Sequence, residues 1–149
     1  MLRQESTLTF TTTSPAAAST VAGPSIRSVL LGRASKLVID ATITGATGGV
    51  LDVYLQRKVV SDVWRDWVHF TQATAGAAAA HYQFVITGNL TAITAGNGGT
   101  DAAPAVSLAA NSAIDILPGE ELRWVFVAGA STSSGAIQIV RITPFVEIG

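Results

Sequence analysis

The sequence predicts an all-β chain: an antiparallel two-sheet sandwich, jelly-roll-like, with eight or nine strands. Three observations carry that expectation. Apolar residues recur with a period of two rather than 3.6. Glycine and proline breakers interrupt those segments at fairly regular spacing. The length of 149 residues is one domain's worth, and at this size roughly two-thirds of the unfolded surface can be buried.

The elements follow in chain order. Residues 6–12 alternate Thr with Leu8 and Phe10 and read as a first strand. Residues 14–24 are dominated by Ala, Ser and Pro, and such a stretch cannot bury enough apolar surface to order itself. Residues 1–24 are therefore expected to form an N-terminal strand or arm with a linker, and residues 25–149 a single β-sandwich domain. A strand is expected at 25–31. Residues 36–44 place Leu37, Ile39, Ala41 and Ile43 on one face, opposite Val38, Asp40, Thr42 and Thr44. The glycines of 45–49 mark a hairpin loop. Residues 50–57 then set Leu51, Val53 and Leu55 opposite Asp52, Tyr54 and Gln56. Strands are also expected at 63–72, 79–88 and 104–111, with a loop at 96–101. The Ala-rich stretch 74–81 is a weak helix candidate that its flanking strand patterns oppose. Pro118-Gly119 turns the chain into residues 121–128, where Leu122, Trp124 and Phe126 oppose Glu121, Arg123, Val125 and Val127. A Ser-rich connection at 128–135 leads to 136–148. That segment is apolar on both faces, as suits a central strand or one covered by a partner.

Composition narrows the function. Nine Lys and Arg against ten Asp and Glu give a net charge of -1, which excludes a strongly basic nucleic-acid binder and an acidic disordered tail. Only 13% of residues are charged, and Ala, Gly, Ser and Thr together supply 67 of the 149. Lys occurs only at Lys36 and Lys58. Lys is depleted at interfaces, so one reading is a protein that buries much of its surface in an assembly. A general bias toward Ala and Gly is the other. Cysteine is absent, which excludes disulfides, thiolate zinc sites and cysteine nucleophiles. The N-terminus has no apolar core of the kind a secretory signal needs. The small-residue run 73–80 is far shorter than a bilayer span, so no membrane partner is expected. The acceptor-like Asn89-Leu90-Thr91, without a secretory signal, reads as chance.

Little catalytic chemistry is legible. No Gly-x-Ser-x-Gly elbow occurs, and a metal site would have to use His69 and His81, twelve residues apart with no ligand spacing around them. No cofactor or metal is expected. Glu120 and Glu121 follow a turn onto a strand, where successive side chains diverge, so they make a poor acid–base pair. The glycines of 45–49 and 96–99 lack the Lys and following helix of a phosphate loop. Arg57, Lys58 and Arg65 form a small basic spot that Asp62 and Asp66 offset.

The densest aromatic cluster is Trp64-Arg65-Asp66-Trp67-Val68-His69-Phe70. In a regular strand Trp64, Val68 and Phe70 share one face, and Trp67 and His69 the other. Either one Trp enters the core while Trp67 meets solvent or a partner, or both fill the core around a bulge. An outward Trp67 with Tyr54 would make a sugar-stacking platform, so a carbohydrate-binding sandwich is an alternative. Candidate interface residues are Leu8, Phe10, Tyr54, Trp67 and His69.

Two adjacent segments carry a family resemblance. Leu51-Asp52-Val53-Tyr54-Leu55-Gln56, followed by Trp64-Arg65-Asp66-Trp67-Val68-His69-Phe70-Thr71-Gln72, resembles a pattern in small virion proteins of tailed bacteriophages. The later Pro118-Gly119-Glu120-Glu121-Leu122-Arg123-Trp124 fits the same pattern more loosely. In that family an Asp-Gly-Gly connection joins the two strands. Here it reads Lys58-Val59-Val60-Ser61-Asp62, so the hairpin tip differs. The resemblance spans residues 36–72 and 117–128 and brings no catalytic residues. It implies a β-sandwich head decoration (cement) protein on the capsid surface, bound to the major capsid protein and self-associating, with a trimer favoured by analogy. A head-tail connector or tail component, or a glycan-binding module of a fibre or spike, is the alternative. A small hydrolase is the third reading.

Overall fold

The computed structural model describes residues 1–13, 19–45, 48–59, 63–74, 79–88, 110, 112–129 and 136–148. Eleven strands and one short helix appear among them: β1 (Leu2–Gln4), β2 (Leu8–Thr13), β3 (Ser19–Arg27), α1 (Val29–Arg33), β4 (Lys36–Ile43), β5 (Val50–Lys58), β6 (Trp64–His69), β7 (Ala73–Thr74), β8 (Ala80–Ile86), β9 (Ser112–Ala113), β10 (Glu121–Ala128) and β11 (Ile137–Glu147). All pairings are antiparallel. One sheet, A, runs β1-β11-β4-β8 with β2 also on β11. The other, B, runs β3-β10-β5-β6-β9 with β7 also on β5.

The strand order has a simple origin. β1 and β2 share one side of β11, and β6 and β7 share one side of β5. Taken as single strands, they leave eight longer strands plus the two-residue β9. First then pairs with last, second with seventh, third with sixth and fourth with fifth, and successive strands alternate between sheets except for the fourth and fifth, which form a hairpin within sheet B. That is a long hairpin rolled upon itself, the jelly-roll order. The expected all-β sandwich is present.

The core lies between the sheets. Leu37, Ile39, Ala41 and Ile43 of β4, Leu51, Val53 and Leu55 of β5, and Leu122, Trp124 and Phe126 of β10 all face it, as their period-two spacing requires. Val140 and Ile142 of β11 and Phe70 join them. Gly23 is needed here: a Cβ at that position would stand 2.9 Å from the Trp124 Cβ. The β3–β10 register shifts by one between Arg123 and Val125, opposite Gly23 and Pro24.

Several expectations change. Of the two readings of 136–148 the central strand holds, because β11 lies between β1–β2 and β4. The segment 25–31 is not one strand. β3 ends at Arg27, and Ser28, whose side chain accepts from the Leu30 N–H at 3.2 Å, caps helix α1. The boundary after residue 24 falls inside β3. The expected arm also turns back onto its own chain: β1 and β2 pair with β11, and Phe10 lies 5.3 Å from the Trp124 ring. Apolar alternation gave Leu8 and Phe10 a use within the fold before any neighbour could claim them. The expected strand at 104–111 apart from residue 110, the loop at 96–101 and most of 128–135 lie outside the described residues, as do residues 14–18 and 75–78. The turn glycines Gly48, Gly49 and Gly119 adopt positive φ of 75°, 69° and 83°.

Candidate functional site

Three strands of sheet B carry polar side chains on the face away from the core. The β5 residues Asp52, Tyr54 and Gln56 alternate with the core-facing Leu51, Val53 and Leu55. Arg123 of β10 stands beside Gln56 in register. The third strand, β6, needs a bulge to contribute. Its register against β5 shifts by one between Leu55–Val68 and Gln56–Asp66, so Trp67 is the extra residue. That shift supplies the bulge that one reading allowed and exchanges the two Trp residues relative to a regular strand, while Val68, His69 and Phe70 keep their expected faces. Trp67 and Val68 both enter the core, while Trp64, Asp66 and His69 face outward with the polar set.

The result is a buried hydrogen-bonded network. Gln56 and Asp66 are 0% exposed and Arg123 is 7% exposed. The Arg123 Nε and Nη2 donate to Gln56 Oε1 at 2.9 and 2.7 Å, and Gln56 Nε2 donates to Asp66 Oδ1 at 2.8 Å. The Arg123 guanidinium lies 4.6 Å from the centre of the Trp64 ring, and the Lys58 ammonium 5.6 Å from it. Further along, Tyr54 stacks on His69 with centroids 4.0 Å apart. His69 Nε2 lies 3.3 Å from Asp52 Oδ1, and Gln72 Nε2 donates to Asp52 Oδ2 at 2.9 Å.

Electrostatics marks the site as costly. Burial raises the Asp66 carboxyl above its ordinary pKa, and the Gln56 hydrogen bond, His69 and Arg123 offset only part of that. Asp66 Oδ2 is buried with no hydrogen-bond partner among the described residues. Burial first, then the charges of Asp52 and Asp66, hold the Tyr54 hydroxyl protonated well above the usual tyrosine range. Burial and the facing Arg65 lower Arg57.

The sequence-derived candidates fall as follows. Leu8 and Phe10 are half-buried against the core. Trp67 is fully buried, and its Nε1–H donates to the Ile116 carbonyl at 2.9 Å, anchoring the segment after β9. Tyr54 and His69 are buried against one another on the opposite face of the sheet. None of the five is an exposed contact residue in this chain. Trp67 and Tyr54 lie on different faces and cannot form one stacking platform. His69 and His81 sit in different sheets, the latter bonded through Nδ1 to the Thr42 hydroxyl at 3.1 Å. Among the described residues no group of three or more His, Asp or Glu gathers as a metal site would require. No helix among them is long and apolar enough to cross a membrane.

Glu120 and Glu121 line an open cleft of about 300 Å³ with Arg27, Lys58 and Val59. They turn to different cations: Glu120 lies 3.4 Å from Arg27 and Glu121 3.3 Å from Lys58. The feature that sequence reasoning missed is the Gln56–Asp66–Arg123 chain. Its signal was the polar letters at alternate positions of three strands, which period-two reading assigned to solvent. No family model, curated protein or solved structure matches this chain.

Proposed function

We propose that this chain is a bacteriophage virion structural protein, a head decoration protein that binds the outer capsid lattice and bridges major capsid protein subunits. Its work is mechanical rather than catalytic. One observation carries the reading. The polar residues of the segments that resemble phage virion proteins bond to one another: Asp52 to His69 and Gln72, and Gln56 to Asp66 and Arg123. The recurring letters thus serve a shared sheet, which supports carrying the family's structural role to this chain. Low charge adds support, because lattice contacts would then rest on apolar and backbone groups rather than ion pairs. A homo-oligomer, a trimer by analogy, fits a protein acting at capsid symmetry axes.

The test is stoichiometry. Phage particles carrying this protein are purified, and its copies are counted against the major capsid protein by quantitative mass spectrometry. Hundreds of copies per particle are expected. A ring's worth, about five to twelve, would place it in the connector or tail instead. Its absence from the particle would end the reading.

A further inference from the structure

The four strand edges of the sandwich are not alike. The β3 edge carries Gly23, Pro24 and a register shift. The β1–β2 edge is interrupted at residues 5–7, where the register on β11 slips by one, and Arg3 and Glu5 pair beside the break at 2.6 Å. In sheet B the far edge ends in β9, two residues long. These are the devices by which sandwiches discourage edge pairing. β8 has none of them. It runs Ala80-His-Tyr-Gln-Phe-Val-Ile with no Gly, Pro or charged Lys, Arg, Asp or Glu. Its seven residues pair with β4 without a shift, and among the described residues no strand pairs with its other side.

We propose that the β8 edge is a self-association surface and that its occupant is β8 of a second copy, antiparallel, about a two-fold axis at Gln83. The sequence of the strand fits that partner. With Gln83 opposite Gln83, His81 faces Val85, Tyr82 faces Phe84 and Ala80 faces Ile86, so no like charges meet. Tyr82 and Phe84 are half-buried, and each already leans on the Phe70 ring, at 5.4 and 6.1 Å. The paired copy would lay an aromatic of its own across each one's remaining surface. Val85, 52% exposed, would be covered by His81 of the second copy. The contact joins two A sheets into one and uses neither the β1–β2 edge nor the β3 edge. It does not depend on the virion reading.

The chain has no cysteine, which makes the test direct. Residues facing each other across an antiparallel pair have Cα atoms about 4.5–5.5 Å apart, within disulfide range. A Gln83→Cys protein, oxidised mildly, should form a disulfide-linked dimer rapidly and nearly completely. A Val85→Cys protein should not: its two copies would sit four residues apart along the strand, about 13 Å. Separately, Gln83→Lys sets two ammonium groups face to face, and sedimentation equilibrium should show loss of the two-fold association while the far-ultraviolet spectrum stays unchanged. Cross-linking of the Gln83→Cys protein no faster than that of the Val85→Cys protein, or a Gln83→Lys protein with the mass of the parent, would overturn the proposal.

Discussion

Along β4 every second residue is buried and the alternate ones are half-exposed. In β5 the four residues Val53 to Gln56 are all buried, and in β10 so are the five from Leu122 to Phe126. Both sheets close the same core with their inner faces, so the difference lies in their outer faces. On sheet A the outer side chains are solvated: Asp40 accepts from Gln83 at 3.0 Å, and both belong to the surface. On sheet B the outward Gln56, Asp66 and Arg123 are removed from water and must satisfy one another. Polar residues on a strand therefore do not by themselves mark solvent in this protein. Where they form a closed set, they mark a second buried layer, one in which each lost partner leaves another group desolvated.

The largest expected effect is in the shared core. Replacing Trp124 with Ala should lower the unfolding free energy by about 3–5 kcal/mol, because the ring is fully buried between Phe10 and Phe126. Its indole N–H has no hydrogen-bond partner among the described residues. Trp124→Phe should therefore cost much less than Trp67→Phe, which would strand the Ile116 carbonyl. Chemical denaturation of the three variants checks this. An unchanged midpoint for Trp124→Ala would contradict the core assignment.

Next comes the buried outer layer. Arg123→Ala removes both donors to Gln56 Oε1 and the cation over Trp64. The combined loss should be about 2–4 kcal/mol, read from the urea midpoint. A double-mutant cycle with Gln56→Leu should be non-additive, since either change alone already breaks the Arg123–Gln56 contact and the second cannot remove it again. Strict additivity would show that the network is not coupled.

The inner layer was legible in the sequence and the outer layer was not, for a physical reason. Period two reports which residues face the core, and Leu37, Ile39, Leu51, Val53, Leu55, Leu122, Trp124 and Phe126 all do. It fails wherever the count slips. One extra residue at Trp67 sends Trp64 outward and Trp67 inward, against the regular-strand expectation. The turn at Pro118-Gly119 was readable from local chemistry. Helix α1 was not separated from its strand, although Ser28 at its N-cap and Arg33 in its last turn were signals. The burial of Gln56 and Asp66 depends on contacts between distant strands, which no local pattern encodes.

The stability of the buried layer should also depend on pH. Asp66 has a folded-state pKa raised above its unfolded value, about 3.9. The folded chain then holds the proton more tightly than the unfolded chain. This contribution to stability is fully present below the unfolded pKa and is lost as pH rises through the folded one. Asp66→Asn keeps an acceptor for Gln56 Nε2 and removes the buried charge. The variant should be more stable than the parent at neutral pH, and the advantage should shrink as pH falls toward about 4. Thermal melts across that range decide it. A deficit at neutral pH would mean that Arg123 and His69 offset the burial of the carboxylate in full.

The smallest effect completes the comparison of the two outer faces. Arg141 of β11 lies in register with Asp40 on the solvated face of sheet A, and it is exposed. Truncating Arg141 to Ala removes a side chain whose charge water already solvates, and no buried acceptor is left behind. Exposed ion pairs on such a face contribute little, so the change in stability should stay within about 0.5 kcal/mol. Set beside Arg123→Ala, the experiment holds the substitution fixed and varies only the face. If Arg141→Ala proved as damaging as Arg123→Ala, the outer surface of sheet A would carry a structural role of its own. The contrast between a solvated face and a buried one would then fail at its most direct test.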